Sequence, residues 1–144
     1  MIKEKSCGAV IYKIENRKIF YLLSKMKHGH ISLSKGHVEA NENEQETAKR
    51  EIFEETSLSP LIDDINFRKI ITYSPEKNVS KDVIFFVAKC VEDLAPIDKH
   101  DNEVVGFIWS EFIEAYDLLT HESDKDVLRQ ANLYILNKEK SNLV

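Results

Sequence analysis

Residues 36–58 read GHVEANENEQETAKREIFEETSL, and the spacing of the acids in this stretch decides how the rest of the chain is read. On a helix of about 3.6 residues per turn, Glu51, Glu54 and Glu55 fall at i, i+3 and i+4 and project from one face. Like charges at those offsets repel by roughly 0.2–0.5 kcal/mol per exposed pair, so something must offset them. Arg50 leaves the helix about 100° away from Glu51, too far round to neutralise all three. A hard divalent cation can do so, because Mg²⁺ takes oxygen ligands, commonly a few carboxylates, and keeps positions for water and phosphate. The competing reading is a solvated acidic face with Arg50 in an ordinary surface ion pair.

The surrounding pattern predicts a helix over 43–56, capped by Asn41 or Asn43, with Glu42, Glu44 and Glu46 near its first turn, where the helix dipole favours acids. Upstream, SCGAVIYKI (6–14) and IFYLLSK (19–25) alternate around the turn-like NRK (16–18), which predicts a hairpin. The stretch 26–43 between hairpin and helix reads as loop with short extended pieces. After SLSP (57–60) breaks the helix, FRKIITYS (67–74) and DVIFFVAKCVED (82–93) read as strands around the turn-like PEKNVSK (75–81). VVGFIWS (104–110) follows the polar loop APIDKHDNE (95–103) as a third. A short helix is expected over 110–119 with Ser110 as its cap. A longer helix over 123–138 would bury Val127, Leu128, Ala131, Ile135 and Leu136. Helices thus interrupt a strand-rich chain without regular βαβ alternation, which points to a mixed sheet packed between helices, an α+β arrangement.

At 144 residues, 42% hydrophobic and 31% charged, the chain has the size and composition of one globular domain, taken as 1–144. A formal net charge of −5 argues against broad binding to nucleic-acid backbones or anionic lipid; an anionic substrate would need local cations. Neither an export signal nor a run long enough to span a bilayer is visible. Cys7 and Cys90 lie in apolar, strand-like stretches without metal-ligand spacing and read as buried free thiols, which suits a reducing cytoplasm.

The wider arrangement around the acids resembles the Nudix box, G-x5-E-x7-R-E-U-x-E-E-x-G-U with U apolar. Gly36, Glu42, Arg50, Glu51, Ile52, Glu54, Glu55 and Leu58 all match. The fixed position that differs is Ser57, where the family has glycine at the end of the helix; serine takes a left-handed conformation there at a cost of roughly 1 kcal/mol, and no ligand is lost. The resemblance implies a Nudix-type α/β/α sandwich and hydrolysis of a nucleoside diphosphate linked to another group, with Mg²⁺ or Mn²⁺ as cofactor. It makes Glu51, Glu54 and Glu55 metal ligands together with the Gly36 carbonyl, gives Arg50 an orienting role, and leaves Glu42 structural or in the outer shell of the metal.

Finer likenesses extend over roughly residues 5–135. SKGHVEANE (34–42) resembles the PKGHVE-x-GE form found in asymmetric diadenosine tetraphosphate hydrolases, as do residues 71–90 and 101–120 the corresponding regions of those enzymes. The resemblance implies a small-molecule nucleotide substrate, a dinucleoside polyphosphate cut to AMP and ATP. Lys35, His37 and Lys81 become candidates for the polyphosphate, Tyr73 for stacking on a base, and Glu103 for a further metal ligand or the general base, a role it shares as candidate with Glu54. Ile31 and Ser34 stand where the subfamily has an aromatic residue and proline. Two alternatives remain: a pyrophosphohydrolase of nucleoside triphosphates or RNA 5′ ends, and a regulatory domain that binds nucleotide without turnover.

Overall fold

The computed structural model describes residues 1–92, 96 and 103–144. Along the chain come β1 (Ile2–Glu15), β2 (Lys18–Met26), β3 (Ile31–Ser32), β4 (Ser34–His37), α1 (Glu44–Thr56), β5 (Leu61–Asp63) and β6 (Lys69–Tyr73). Then follow β7 (Val79–Lys89), β8 (Val104–Ser110), α2 (Phe112–Leu118) and α3 (Glu122–Glu139). The predicted hairpin forms around a two-residue turn: Glu15 pairs with Lys18, and Asn16 and Arg17 take φ of 52° and 63°, a sense of turn that matches the twist of the flanking strands.

Beyond the Tyr12–Tyr21 pair, β1 and β2 separate, and short strands fill the edges they vacate. Strand β4 pairs with β1, placing Gly36 opposite Cys7, while β3 pairs with β2, placing Ser32 opposite Ser24. The other edge of β1 runs parallel to β7 from Ile2–Val79 to Tyr12–Lys89. Antiparallel β5 and β6 share the far edge of β7, and β8 lies along β2, completing an eight-stranded mixed sheet among the described residues.

Both faces of this sheet are covered, so its central strands are apolar on both sides. On one face Cys7, Ala9 and Ile11 of β1 and Ile84, Phe86 and Ala88 of β7 pack on Ala48 and Ile52 of α1. On the other, Val10, Tyr12, Phe85 and Val87 pack on Val127, Leu128, Ala131 and Ile135 of α3. This is the helix–sheet–helix sandwich that the sequence predicts.

Some details differ from expectation. Strand β7 starts at Val79, inside the stretch read as a turn, and stops at Lys89 before Cys90; its long parallel pairing with β1 extends it backward. Strand β5, too short to carry a pattern, was not expected. Ser110 is buried at the end of β8 opposite Tyr21, so Glu111 precedes α2 instead, without a side-chain capping bond. Leu136 is exposed, because it follows Ile135 by about 100° of helix rotation and leaves the apolar stripe. The polar loop expected over 95–103 lies outside the described residues except for Pro96 and Glu103.

Candidate active site

Helix α1 is placed by its ends. Asn43 Oδ1 accepts from the Glu46 amide at 2.8 Å while Glu46 Oε1 accepts from the Asn43 amide at 2.9 Å, a reciprocal capping box. At the far end Ser57 takes φ 67°, the left-handed conformation expected there, and its amide bonds to the Phe53 carbonyl at 2.9 Å. With Ala48 and Ile52 held under the sheet, the acids on the adjoining face meet different surroundings. Glu55 is buried, Glu51 half-buried and Glu54 exposed.

Arg50 gathers much of this charge. Its guanidinium donates to Glu42 through Nε at 2.6 Å and Nη2 at 3.0 Å, to Glu51 at 2.8 Å, to Glu54 at 3.1 Å and to the His37 carbonyl at 2.8 Å. Arg50 thus reaches Glu51 and Glu54 but not Glu55, in keeping with the expectation that it cannot neutralise all three acids. Glu42 departs from the expectation that it serves the helix dipole. It lies before the helix and, rather than serving the dipole, clamps Arg50 while Thr47 Oγ1 donates to it at 2.9 Å. The Arg50 hydrogen bonds, aided by the Glu39 amide and Thr47, hold the Glu42 carboxyl at about 2, far below its ordinary value.

Gly36 sits on β4 directly against this cluster. A Cβ at that position would overlap the Glu51 carboxylate, so only glycine lets strand and acid approach. Its neighbours Lys35 and His37 belong to the same strand, and His37 is exposed. Tyr73, at the end of β6, pairs across the ladder with Lys81 of β7. Glu103 lies just before β8, where its carbonyl accepts from the Lys27 amide at 2.6 Å. A polar cavity of about 200 Å³ brings Lys35, Gly36, His37, Glu55, Tyr73, Lys81 and Glu103 together. Arg50, Glu51 and Glu54 do not line it. Burial, with Lys35 nearby, pushes the Lys81 ammonium below its usual pKa, which Glu4 and Glu103 partly counter.

Two further cavities adjoin this one and share Lys35 with it. One, of about 320 Å³, has a largely apolar wall of Ile71, Tyr73, Val83 and Phe85, closed by Ser123 and Asp124 at the start of α3. The other, of about 290 Å³, lies between Met26, His28, His30, Glu103 and His121. There the His30 and His121 rings meet edge to face at 5.1 Å, and paired bonds between Ile31 and Thr120 fasten β3 to the loop before α3. Sequence reading missed His30, His121 and Asp124 as site-lining residues. Isolated histidines in polar loops, and an acid in the first turn of a helix, carry no pattern of their own.

Among the described residues, no three His, Cys, Asp or Glu side chains already converge as a ready ion site. Glu51, Glu54, Glu55 and the Gly36 backbone nonetheless offer hard oxygens of the kind a divalent cation prefers, and Arg50 neutralises two of those acids where they stand.

The NUDIX domain profile matches residues 4–131. The chain belongs to the Nudix hydrolase family. It is 32% identical over 141 residues to the asymmetrical bis(5′-nucleosyl)-tetraphosphatase of Rattus norvegicus, covering 91% of this chain and 95% of the relative. The Mus musculus protein of the same name is 30% identical with the same coverage. In fold it resembles a C. elegans Ap4A hydrolase crystallised as a binary complex, with a TM-score of 0.84 at 24% identity over 93% of this chain and 98% of that one. As a Nudix hydrolase it cleaves a phosphoanhydride, and no helix of the described residues is long and apolar enough to cross a membrane.

Proposed function

We propose that this Nudix hydrolase, acting as one domain in the cytoplasm, cuts dinucleoside polyphosphates asymmetrically, diadenosine tetraphosphate to AMP and ATP. The observation that carries the reading is a polar cavity adjoined by two less polar ones, all three bordered by Lys35. A polyphosphate with a nucleoside at each end has that distribution of charge and apolar surface. The relatives named as asymmetrical tetraphosphatases support it independently. The two free, buried cysteines suit a reducing compartment.

In this reading Lys35 and Lys81 hold the polyphosphate across the cavity, with His37 at its rim, and Tyr73 offers its ring to a base in the apolar cavity. Glu51, Glu54, Glu55 and the Gly36 carbonyl are the oxygens that would hold Mg²⁺ or Mn²⁺, with Glu103 as a further ligand from across the cavity. The metal, when bound, supplies positive charge to the phosphate oxygens and to the departing one. Arg50 keeps Glu51 and Glu54 aimed in one direction until then. A water oxygen attacks one phosphorus as the bridging P–O bond breaks, and a carboxylate takes the water's proton. Glu103 suits that role better than Glu54, because it lines the cavity and Glu54 does not.

The test is a product-resolved screen of the purified protein with Mg²⁺ against dinucleoside polyphosphates, nucleoside triphosphates and 5′-triphosphorylated RNA, run in ¹⁸O-water. AMP and ATP from diadenosine tetraphosphate, with label in only one of them, is the expected result. Two ADP molecules would exclude the asymmetric cut. Faster turnover of triphosphates or RNA ends would replace the substrate.

A further inference from the structure

We infer that Asp124 reads the exocyclic amino group of the base that enters the apolar cavity, and so sets base specificity. The inference deepens the dinucleotide reading and rests on it. Asp124 is only 5% exposed, yet it closes a cavity whose other walls are largely the carbons of Ile71, Val83 and Phe85 and the ring of Tyr73. One carboxyl oxygen accepts from the Leu33 amide at 3.5 Å, the outer limit of a hydrogen bond. Among the described residues the other oxygen has no hydrogen-bond partner, and no cation comes within ion-pair distance of the carboxylate; Lys35 acts on it only from across the cavity.

The second oxygen is not sealed off like the Ser6 and Ser57 hydroxyls but keeps surface on the cavity, where a ligand N–H can reach it. Burial moves the carboxyl toward its neutral form, against the pull of Lys35. That change does not alter the argument, since a carboxyl keeps an acceptor oxygen in either state. The cavity, about 320 Å³, falls within the roughly 300–1,000 Å³ of small-molecule sites, and a flat base on Tyr73 would carry its edge toward the α3 wall. An amino group at that edge satisfies Asp124; a bare C–H leaves it unpaired, and sites built to hydrogen-bond a group discriminate against its absence. The alternative role is structural, with Asp124 steadying the Leu33 amide and the positive end of α3.

The experiment compares binding of AMP and of the 6-unsubstituted purine riboside 5′-monophosphate to the full chain by calorimetry, in wild type, Asp124→Asn and Asp124→Ala. Wild type should favour AMP by about tenfold. Asp124→Asn, which keeps a carbonyl acceptor, should retain most of that preference, and Asp124→Ala should erase it by weakening AMP alone. Equal affinities in wild type would overturn the inference, and that comparison needs no variant to fold. Equal weakening of both ligands in Asp124→Ala would also overturn it in favour of the structural role. Because binding is measured, failure to cleave diadenosine tetraphosphate would sink the substrate reading while the affinity ratio still stood or fell by itself.

Discussion

Helices α1 and α3 cover opposite faces of one sheet and are fastened to it by different chemistry. Along EQETAKREIFEET, α1 buries the apolar side chains of Ala48 and Ile52 alone, and is otherwise tied down by ion pairs: Arg50 with Glu42, and Glu44 with Lys5 and Arg68 at 2.6 and 2.7 Å. α3 buries Val127, Leu128, Ala131 and Ile135 and adds neutral-donor bonds from the sheet, Tyr12 to Glu139 at 2.6 Å and Tyr21 to Asn132 at 2.7 Å. A helix that must present several carboxylates cannot also bury a wide apolar stripe. Its position is therefore held mainly by charges, which respond to pH and salt, while the opposite helix, beside its Lys89–Glu139 and Lys138–Asp63 pairs, rests on a wider apolar stripe that responds less.

Substitutions that separate these two roles are the sharpest test of the contrast. The largest effect is expected at α1: Glu55→Gln should lower kcat by about a thousandfold, roughly 4 kcal/mol of barrier, with Tm unchanged, since the shape of a buried side chain is kept and only its charge is lost. Near-normal turnover at saturating Mg²⁺ would remove Glu55 from the site. Ile135→Ala on α3 should do the reverse, costing about 3 kcal/mol in denaturant unfolding while kcat of the folded enzyme holds. A large loss of kcat in that variant would mean that the two faces are coupled.

Arg50→Ala stands between these extremes, because the residue holds both shape and charge. It should cost about 2 kcal/mol of stability, and the destabilisation should shrink in high salt as the freed glutamates are screened. Acid should act on the same anchors. Arg50 keeps the Glu42 carboxyl, and Arg68 the Glu44 carboxyl, at about 2 in the folded chain, well below their ordinary value of 4.5. Both stabilise fully above pH 4.5 and progressively less as pH falls toward 2. Hydrogen exchange at pH 3 should therefore find α1 opening before α3. Equal protection of the two helices would break the comparison.

The smallest effect belongs to the end of α1. Ser57 holds φ 67° with its hydroxyl buried and without a hydrogen-bond partner among the described residues, so Ser57→Gly should raise stability by up to about 1 kcal/mol, less what glycine adds to unfolded-chain entropy. A thermal melt checks it. A fall in Tm would mean that the serine makes up its strain through packing.

What can be read from the chain alone lies within a few residues of itself: the turn at Asn16 and Arg17, a helix capped by Asn41 or Asn43, of which the structure uses Asn43, and the one-sided acids 51, 54 and 55. Each depends on torsions and on hydrogen bonds spanning at most a turn or so, and those follow from local sequence. Family likeness added Lys35, Tyr73, Lys81 and Glu103 as names without saying how they meet. They meet because β1 and β2 separate after Tyr12–Tyr21, admitting β4, and because β7 lies parallel to β1 while β6 pairs with β7 at a register that sets Tyr73 beside Lys81. That choice of edges and register is made by burying both faces of the sheet at once, a condition on the whole molecule. The same condition moved Ser110 from a helix cap into a strand, turned Glu42 toward Arg50, and left Asp124 facing an apolar cavity.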